Sequence, residues 1–208
     1  MLSVVFAESA DNFAHLVRFY APDADRLLDV THGAGTLTKR CPIPVLGVDR
    51  DPGSKASVIC DSCALPFRDD SFAAAVFDPP YLYGSHAMHM GPIGKKTWST
   101  LRSTWDVPAD LVRTARGIAA ELYRVCQGEA TVFCKVMDSR FKGKLIRNHD
   151  IVADAFEERG FTLIDQIVYV RTVTGSFVNA VSAQSAHGYF LVLRKRTAQQ
   201  GLRFEMPA

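Results

Sequence analysis

The chain has 208 residues, of which 48% are hydrophobic, and its 24 basic and 22 acidic side chains give a net charge of +2. This length and apolar content suit one domain with a sizeable core and argue against two full domains. Because the charges nearly balance, the overall charge does not indicate binding to nucleic acid. Electrostatic attraction to nucleic acid would need a local basic patch.

Neither membrane insertion nor export is indicated. No stretch approaches the roughly 18 consecutive apolar residues of a membrane span. The first five residues also lack the basic leader that precedes the apolar core of a signal peptide. We therefore expect a cytoplasmic protein.

The five cysteines, an odd number, indicate reduced thiols. Cys60 and Cys63 have the C-x-x-C spacing of many zinc sites, but no second cysteine or histidine pair lies at a suitable distance. We expect no metal.

Helical and strand patterns alternate along the chain, which is typical of a parallel α/β sheet. Three helices are predicted, at 12–20, at 110–127 before Gly128, and at 151–159 before Gly160. Strands are predicted at 27–31, 44–48, 56–60, 72–77, 130–136, 161–171 and 189–194.

The first strand leads into the run His32-Gly33-Ala34-Gly35-Thr36. Its two glycines permit a tight turn and the close approach of a ligand, which is typical of a nucleotide-binding loop between a strand and a helix. Asp49 follows the second strand about 20 residues after Asp29, near the spacing at which an acid reaches a ribose hydroxyl. Asp61 follows the third strand and could face an adenine amino group.

The fourth strand ends in Asp78-Pro79-Pro80-Tyr81. Asp78 can accept a hydrogen bond from a planar amino group, and the two prolines fix φ and remove two N–H donors. Tyr81 offers a ring on which a base could stack. Taken alone, the tetrapeptide could equally be a rigid turn.

In this order, the motifs resemble those of the S-adenosylmethionine-dependent amino-methyltransferases, which methylate exocyclic nitrogens of adenine or cytosine in DNA and have relatives acting on RNA. The resemblance covers 27–195 and includes the closing strand 187–195. It implies a single domain over 1–208 with a Rossmann-like class I methyltransferase fold. That fold has a mostly parallel seven-stranded sheet in the order 3-2-1-4-5-7-6, with helices on both faces. We expect Gly33, Gly35 and Asp78 to meet at one crevice between strands one and four.

The resemblance also implies the roles of individual residues. The cofactor is S-adenosylmethionine, which would leave as S-adenosylhomocysteine, and its expected ligands are Asp29, Thr31, His32, Gly33, Gly35, Asp49, Asp61 and Asp78. The expected catalytic residues are Asp78, Pro79, Pro80 and Tyr81. One departure stands out, because the family often has an aromatic residue where this chain has Thr31-His32.

Three segments are expected to face the substrate, near 82–108, 139–149 and 172–187. Basic and aromatic side chains alternate in the first, and the second is basic and contains no acid, patterns suited to phosphate contact and stacking. The alternatives are a solvated surface for the basic run and core packing for the tryptophans. The candidate substrate ligands are Tyr81, Tyr83, His86, Lys95, Lys96, Trp98, Arg140, Lys142 and Lys144.

The expected partner is double-stranded DNA with a flipped adenine as the target, because aspartate in the first motif position is associated more with adenine N6 than with cytosine N4. No segment is long enough for a full target-recognition domain. We therefore expect relaxed or short sequence specificity, or the help of a specificity partner or a homodimer. Methylation of RNA at guanine N2 or adenine N6, cytosine N4 methylation, a small-molecule substrate and a non-catalytic binding role remain alternatives. Lys135, Asp138 and His187 lie near strand ends where substrate could pass, but the interpretation as ordinary surface charges is favoured and they are not counted as catalytic.

Overall fold

A computed structural model describes residues 3–6, 8–80, 83, 105–170 and 187–196. Within these ranges lie three helices: α1 (Ser9–Tyr20), α2 (Pro108–Val125) and α3 (Asn148–Arg159). The strands of the described residues are β1 (Val4–Phe6), β2 (Leu27–Asp29), β3 (Val45–Asp49), β4 (Val58–Ile59), β5 (Phe72–Phe77), β6 (Cys126–Val136), β7 (Ser139–Phe141), β8 (Lys144–Ile146), β9 (Phe161–Val170) and β10 (His187–Lys195). None of these helices is both long and apolar enough to cross a membrane.

Eight strands form the main sheet, in the order β1-β9-β10-β6-β5-β2-β3-β4. All neighbours are parallel except β10, which runs antiparallel to both β6 and β9. From β4 to β9 this is the predicted order 3-2-1-4-5-7-6. The prediction of seven strands was one short, because β1 adds a parallel edge strand beside β9. A three-residue strand has too few positions to show a period of two, so its pattern carried no signal.

Helices cover both faces of the sheet, as expected. On one face, α1 buries Phe13, Leu16 and Val17, and the Phe13 ring meets that of Phe133 edge to face with 5.4 Å between centroids. Burying one such side chain contributes about 1.5–3 kcal/mol. On the other face, α2 and α3 pack through their apolar stripes, which include Leu111, Ala115, Ile118, Leu122, Val125, Val152 and Phe156.

Two helix termini follow the sequence, whereas α2 ends at Val125, short of the predicted stop at Gly128, because Cys126 already begins β6. Pro108 occupies the first turn of α2, where its missing N–H costs nothing, and Asp110 accepts the backbone N–H of Val107 over 3.1 Å. Gly160 ends α3 with φ of +115°, a left-handed conformation that favours glycine.

The first crossover differs from the expectation of a strand-to-helix loop. After β2 the chain forms successive turns through residue 40, with no α-helix. Thr36 and Thr38 are poor helix formers, and Pro42 and Pro44 would end a helix within two turns. The hydroxyl of Thr38 also donates to the buried carboxylate of Asp29 over 3.1 Å, which holds this turn against β2.

The connection from β4 to β5 also lacks a helix, and α2 holds it in place. The guanidinium of Arg124 donates to the carbonyl oxygens of Leu65 and Phe67 over 2.9 and 2.7 Å. Glu121 pairs with Arg124 and accepts the backbone N–H of Leu65 over 2.7 Å. These contacts satisfy backbone groups that a helix would otherwise satisfy, and they fix the loop that begins at Asp61.

Candidate functional site

A cavity of about 630 Å³ opens at the carboxyl ends of the central parallel strands. This is where ligands bind in open α/β sheets. All of the predicted cofactor residues except Gly35 line it, together with Pro79, Pro80, Trp105 and Lys135. Gly33 and Asp78 therefore converge on one cavity as expected, whereas Gly35 does not line it.

Asp29 organises the loop after β2 from a buried position. Its carboxylate accepts the backbone N–H of Thr31 over 3.2 Å, and lies 3.0 Å from Nδ1 of His32. The hydrogen bond to Asp29 raises the pKa of His32, although burial opposes it. Asp29 thus acts on this loop chiefly through hydrogen bonds within the protein.

The His32 ring fills the space between the loop and β3. A Cβ at Gly47 would collide with the ring, and one at Gly35 would lie 2.9 Å from Nε2. Gly35 also has φ of +70°, and Gly33 has φ of +53°. The loop therefore requires glycine at 35 for both space and conformation.

Asp49 and Asp61 each hold a turn while facing the cavity. The two oxygens of Asp49 accept the backbone N–H groups of Gly33 and Asp51 over 2.8 and 2.9 Å. Asp61 accepts the backbone N–H of Cys63 over 2.8 Å. A carboxylate oxygen has two lone-pair sites, so both residues retain acceptor capacity for a ligand.

Asp78 is joined to two neighbouring strands. Its backbone N–H donates to the hydroxyl of Thr31 over 2.8 Å. Its carboxylate oxygens lie 2.9 and 3.1 Å from Nζ of Lys135. The side chains of Asp78 and Lys135 are 23% and 10% exposed, so this ion pair is largely shielded from water. Burial raises the pKa of the Asp78 carboxyl, and the lysine opposes that rise.

Our interpretation of Lys135 as a surface charge is wrong, because this residue is buried within β6. A signal for this was present in the sequence. Lys135 interrupts an apolar run between Cys134 and Val136, in a strand expected at the centre of the sheet. Lysine is almost never fully buried unless it is paired, so a partner at a neighbouring strand end was to be expected.

The prolines after Asp78 lie at the cavity wall, and Trp105 secures them. The indole N–H of Trp105 donates to the carbonyl of Pro80 over 2.6 Å. Trp105 is partly buried against the core, which is the packing alternative considered for it, and it also lines the cavity. The predicted residues Tyr81, His86, Lys95, Lys96 and Trp98 lie outside the described residues.

Tyr83, expected to contact substrate, is buried instead. Its hydroxyl donates to Oδ1 of Asn148 over 2.6 Å, and its ring meets that of Phe141 edge to face at 5.7 Å. Through these contacts Tyr83 packs against the first residue of α3 and the last residue of β7.

The β7–β8 hairpin carries Arg140, Lys142 and Lys144 in exposed positions. Its two-residue turn consists of Lys142 and Gly143, with φ of +48° and +78°, as in a type I′ turn. Left-handed backbone is unfavourable for lysine. The basic side chain thus occupies a place where asparagine or glycine would be favoured.

A half-buried polar cluster comprises Asp138, His149, His187 and Tyr189, and it corrects the interpretation of Asp138 and His187 as ordinary surface charges. Asp138 lies 2.7 Å from Nδ1 of His149, whose ring stacks on Tyr189 with 4.1 Å between centroids. Nε2 of His187 lies 3.2 Å from the Tyr189 hydroxyl. Among the described residues, no group of three or more histidine, cysteine or acidic side chains is arranged to hold a metal.

Comparison with solved structures identifies the fold. A SAM-dependent methyltransferase from Methanosarcina mazei superposes with a TM-score of 0.54 at 14% identity, over 87% of this chain and 97% of the other. TrmN from Thermus thermophilus gives 0.53 at 16% identity, over 88% of this chain and 48% of the other. The cyclase SpnF gives 0.54 at 15% identity, over 89% and 81%.

These similarities show a Rossmann-like methyltransferase fold. At such low identity they establish architecture alone, and the presence of a cyclase among them illustrates that one fold hosts different reactions. No protein-family model matches the sequence, and no curated protein matches it. The function must therefore be argued from the site.

Proposed function

We propose that this protein transfers a methyl group from S-adenosylmethionine to the exocyclic amino nitrogen of a nucleic-acid base, with adenine N6 of double-stranded DNA as the target. The observation that carries the proposal is one shared cavity. Gly33 and Asp49 line it from the ends of β2 and β3, and Asp78, Pro79 and Pro80 line it from the end of β5. A donor and an amino group bound at these two ends would lie side by side.

The residues present fit the methyl donor. The volume lies within the roughly 300–1,000 Å³ range of small-molecule sites. Gly33 lets a ligand approach the backbone closely, since it has no side chain. Asp49 can still accept hydrogen bonds from ribose hydroxyls, and Asp61 can still accept one from an adenine amino group. When bound, the donor supplies an electrophilic methyl group on a sulfonium.

The motif at Asp78 fits the acceptor. An exocyclic amino nitrogen is a poor nucleophile, because its lone pair is delocalised into the base. Asp78 and the carbonyl of Pro79 would accept the two amino hydrogens and so direct the lone pair towards the donor. Trp105 already donates to the carbonyl of Pro80 and thereby holds the diproline in place. The proton released from the product would pass to Asp78 or water, so catalysis would consist mainly of positioning and electrostatics.

The basic hairpin supports nucleic acid as the substrate. Lys142 lies in its two-residue turn and Lys144 begins β8, and both side chains are exposed, which suits contact with phosphates. Lys142 occupies a left-handed position, and such strain is concentrated at functional sites. A base within a duplex must be flipped out to reach the cavity, and Tyr81 is the proposed stacking partner. We further propose that the protein acts in the cytoplasm and has relaxed or short sequence specificity. A second copy of the chain or a specificity partner would assist recognition.

The deciding experiment supplies isotopically labelled S-adenosylmethionine with separate DNA, RNA and protein pools and identifies the product by nucleoside mass spectrometry. We expect label in N6-methyladenine of DNA. Label in N2-methylguanine or N6-methyladenine of RNA, or in N4-methylcytosine, would replace that substrate with the corresponding alternative. Absence of label from all pools, together with no donor binding by calorimetry, would refute the proposal.

Asp78→Ala tests the assigned residue directly. We expect it to abolish methyl transfer while donor binding persists. Asp154→Ala, which removes an exposed acid on α3, is the matched control and should retain full activity. Full activity of the Asp78 variant would contradict the assignment.

A further inference from the structure

We infer that Lys135 is a positioning residue, which keeps the Asp78 carboxylate ionised and aimed at the acceptor end of the cavity. The catalytic consequence rests on the proposed function. The effect of Lys135 on the ionisation of Asp78 does not rest on that function, and it can be measured without a substrate.

Strand register brings the two residues together. Phe77 of β5 pairs with Cys134 of β6, and extending this parallel register by one residue places Asp78 beside Lys135. Asp78 follows Val76 by two positions, and Lys135 follows Phe133 by two, so both side chains emerge on the face covered by α1. The ammonium therefore meets the carboxylate because of sheet geometry.

The contact spans both carboxylate oxygens. Nζ of Lys135 lies 2.9 Å from Oδ1 and 3.1 Å from Oδ2 of Asp78. It also lies 5.9 Å from the centroid of the Tyr169 ring, within the range of a cation–π interaction. The lysine is thus held from two sides, and the carboxylate plane is fixed relative to β6. Each oxygen still has a lone-pair site for an amino hydrogen.

Without the lysine, burial and the charge of Asp29 would shift the Asp78 carboxyl towards its neutral form. Burial disfavours a charged carboxylate, and the negative charge of Asp29 disfavours it further. A protonated Asp78 would carry an O–H donor on one oxygen and would be a weaker acceptor of an amino hydrogen than the carboxylate. It would also be unable to take up the proton released after methyl transfer. Lys135 opposes both effects, since its charge favours the ionised form.

Other charged and titratable groups facing this cavity set the background on which Lys135 acts. They come from the segments around the site and comprise Glu8 before α1, Asp29 and His32 at the end of β2, Lys39 in the first crossover, Asp49 and Arg50 at the end of β3, Asp61 after β4, and the Tyr169 phenol beside Lys135. Among them, Lys135 is the group that contacts the Asp78 carboxylate directly.

The test is a carbon NMR titration of the Asp78 carboxyl in the ligand-free protein, with its signal assigned by Asp78→Asn. Lys135→Met keeps the length and packing of the side chain but removes the charge, whereas Lys135→Arg keeps the charge. Lys55→Met, which removes an exposed lysine, is the matched control. We expect Lys135→Met to raise the pKa of Asp78 by about one unit or more, a tenfold or greater shift in its proton affinity. The Arg variant and the control should leave it within a few tenths of a unit.

An unchanged Asp78 titration in Lys135→Met would overturn the inference. If that variant fails to fold, the double variant Asp78→Asn/Lys135→Met decides: its folding supports the charge coupling, and its failure shows that Lys135 acts independently of Asp78. If the enzyme is active, the acidic limb of its pH–rate profile should shift to higher pH in Lys135→Met. In Lys135→Arg it should stay at the wild-type pH. A shifted titration without methylation of any nucleic acid would refute the proposed function and leave this inference standing.

Discussion

The backbone N–H of Asp78 donates to the hydroxyl of Thr31 over 2.8 Å, which ties the end of β5 to the end of β2. One hydrogen bond thus connects the loop proposed to hold the methyl donor with the motif proposed to hold the acceptor. The family often has an aromatic residue where this chain has Thr31-His32, and a phenylalanine at position 31 could not accept this bond. The departure from the family pattern therefore has a structural role.

Thr31→Val should weaken this connection. Valine keeps the shape but leaves the Asp78 N–H without its acceptor, which costs about 1–3 kcal/mol of unfolding free energy. Urea denaturation measures the loss, and Thr31→Ser, which keeps the hydroxyl, should stay close to wild type. Equal stability of the valine and serine variants would contradict the role of the hydroxyl.

Gly47→Ala should destabilise the protein through the His32 ring. The added methyl group would collide with the imidazole, which the loop and Asp29 hold in place. Overpacking of this kind costs about 1–3 kcal/mol. Gly53→Ala is the control, because its Cβ would approach only the Asp51 side chain, at 3.3 Å. Thermal unfolding of both variants should show a clear loss of stability for Gly47→Ala alone.

His32 should make stability depend on pH. Its pKa is raised above the ordinary value of 6.5 by the hydrogen bond to Asp29, with further support from the charges of Asp29 and Asp49. A raised pKa means that the folded state binds the proton more tightly than the unfolded chain. The contribution is therefore complete below pH 6.5 and disappears as the pH rises through the folded value.

The measurement for His32 is urea unfolding of the wild type and His32→Gln at about pH 6 and about pH 9. Glutamine does not titrate but can donate a hydrogen bond to Asp29. We expect the advantage of the wild type over the variant to be larger at the lower pH. An advantage that grows with pH would reverse the sign and reject the explanation.

Neutralising the hairpin should weaken DNA binding without altering base preference. Lys142→Gln/Lys144→Gln removes two positive charges proposed to pair with phosphates. The slope of log affinity against log salt should therefore become shallower by about 0.9 for each phosphate that the protein no longer neutralises. Arg113→Gln, an exposed change on α2, is the control. An unaltered slope in the hairpin variant would exclude these lysines from the interface.

Local features of the sequence correctly predicted several elements. The apolar stripe of α2 at intervals of three and four residues and the stop at Gly160 were both confirmed. The first crossover was not, because the glycine loop suggested a helix that the threonines and prolines after it do not support. The edge strand β1 was missed, since its pairing with β9 joins residues far apart in the chain.

The sequence by itself determined the alternation of strands and helices and the succession of polar motifs at strand ends, because periodicity and turn chemistry are local properties of the chain. Only the tertiary structure decided the pairing of Asp78 with Lys135, the burial of Tyr83 and the packing of His32 against Gly47. These relations depend on strand register and on the order of strands in the sheet, which bring distant residues within hydrogen-bonding distance. The charge environment of the proposed catalytic acid is therefore a property of the assembled sheet.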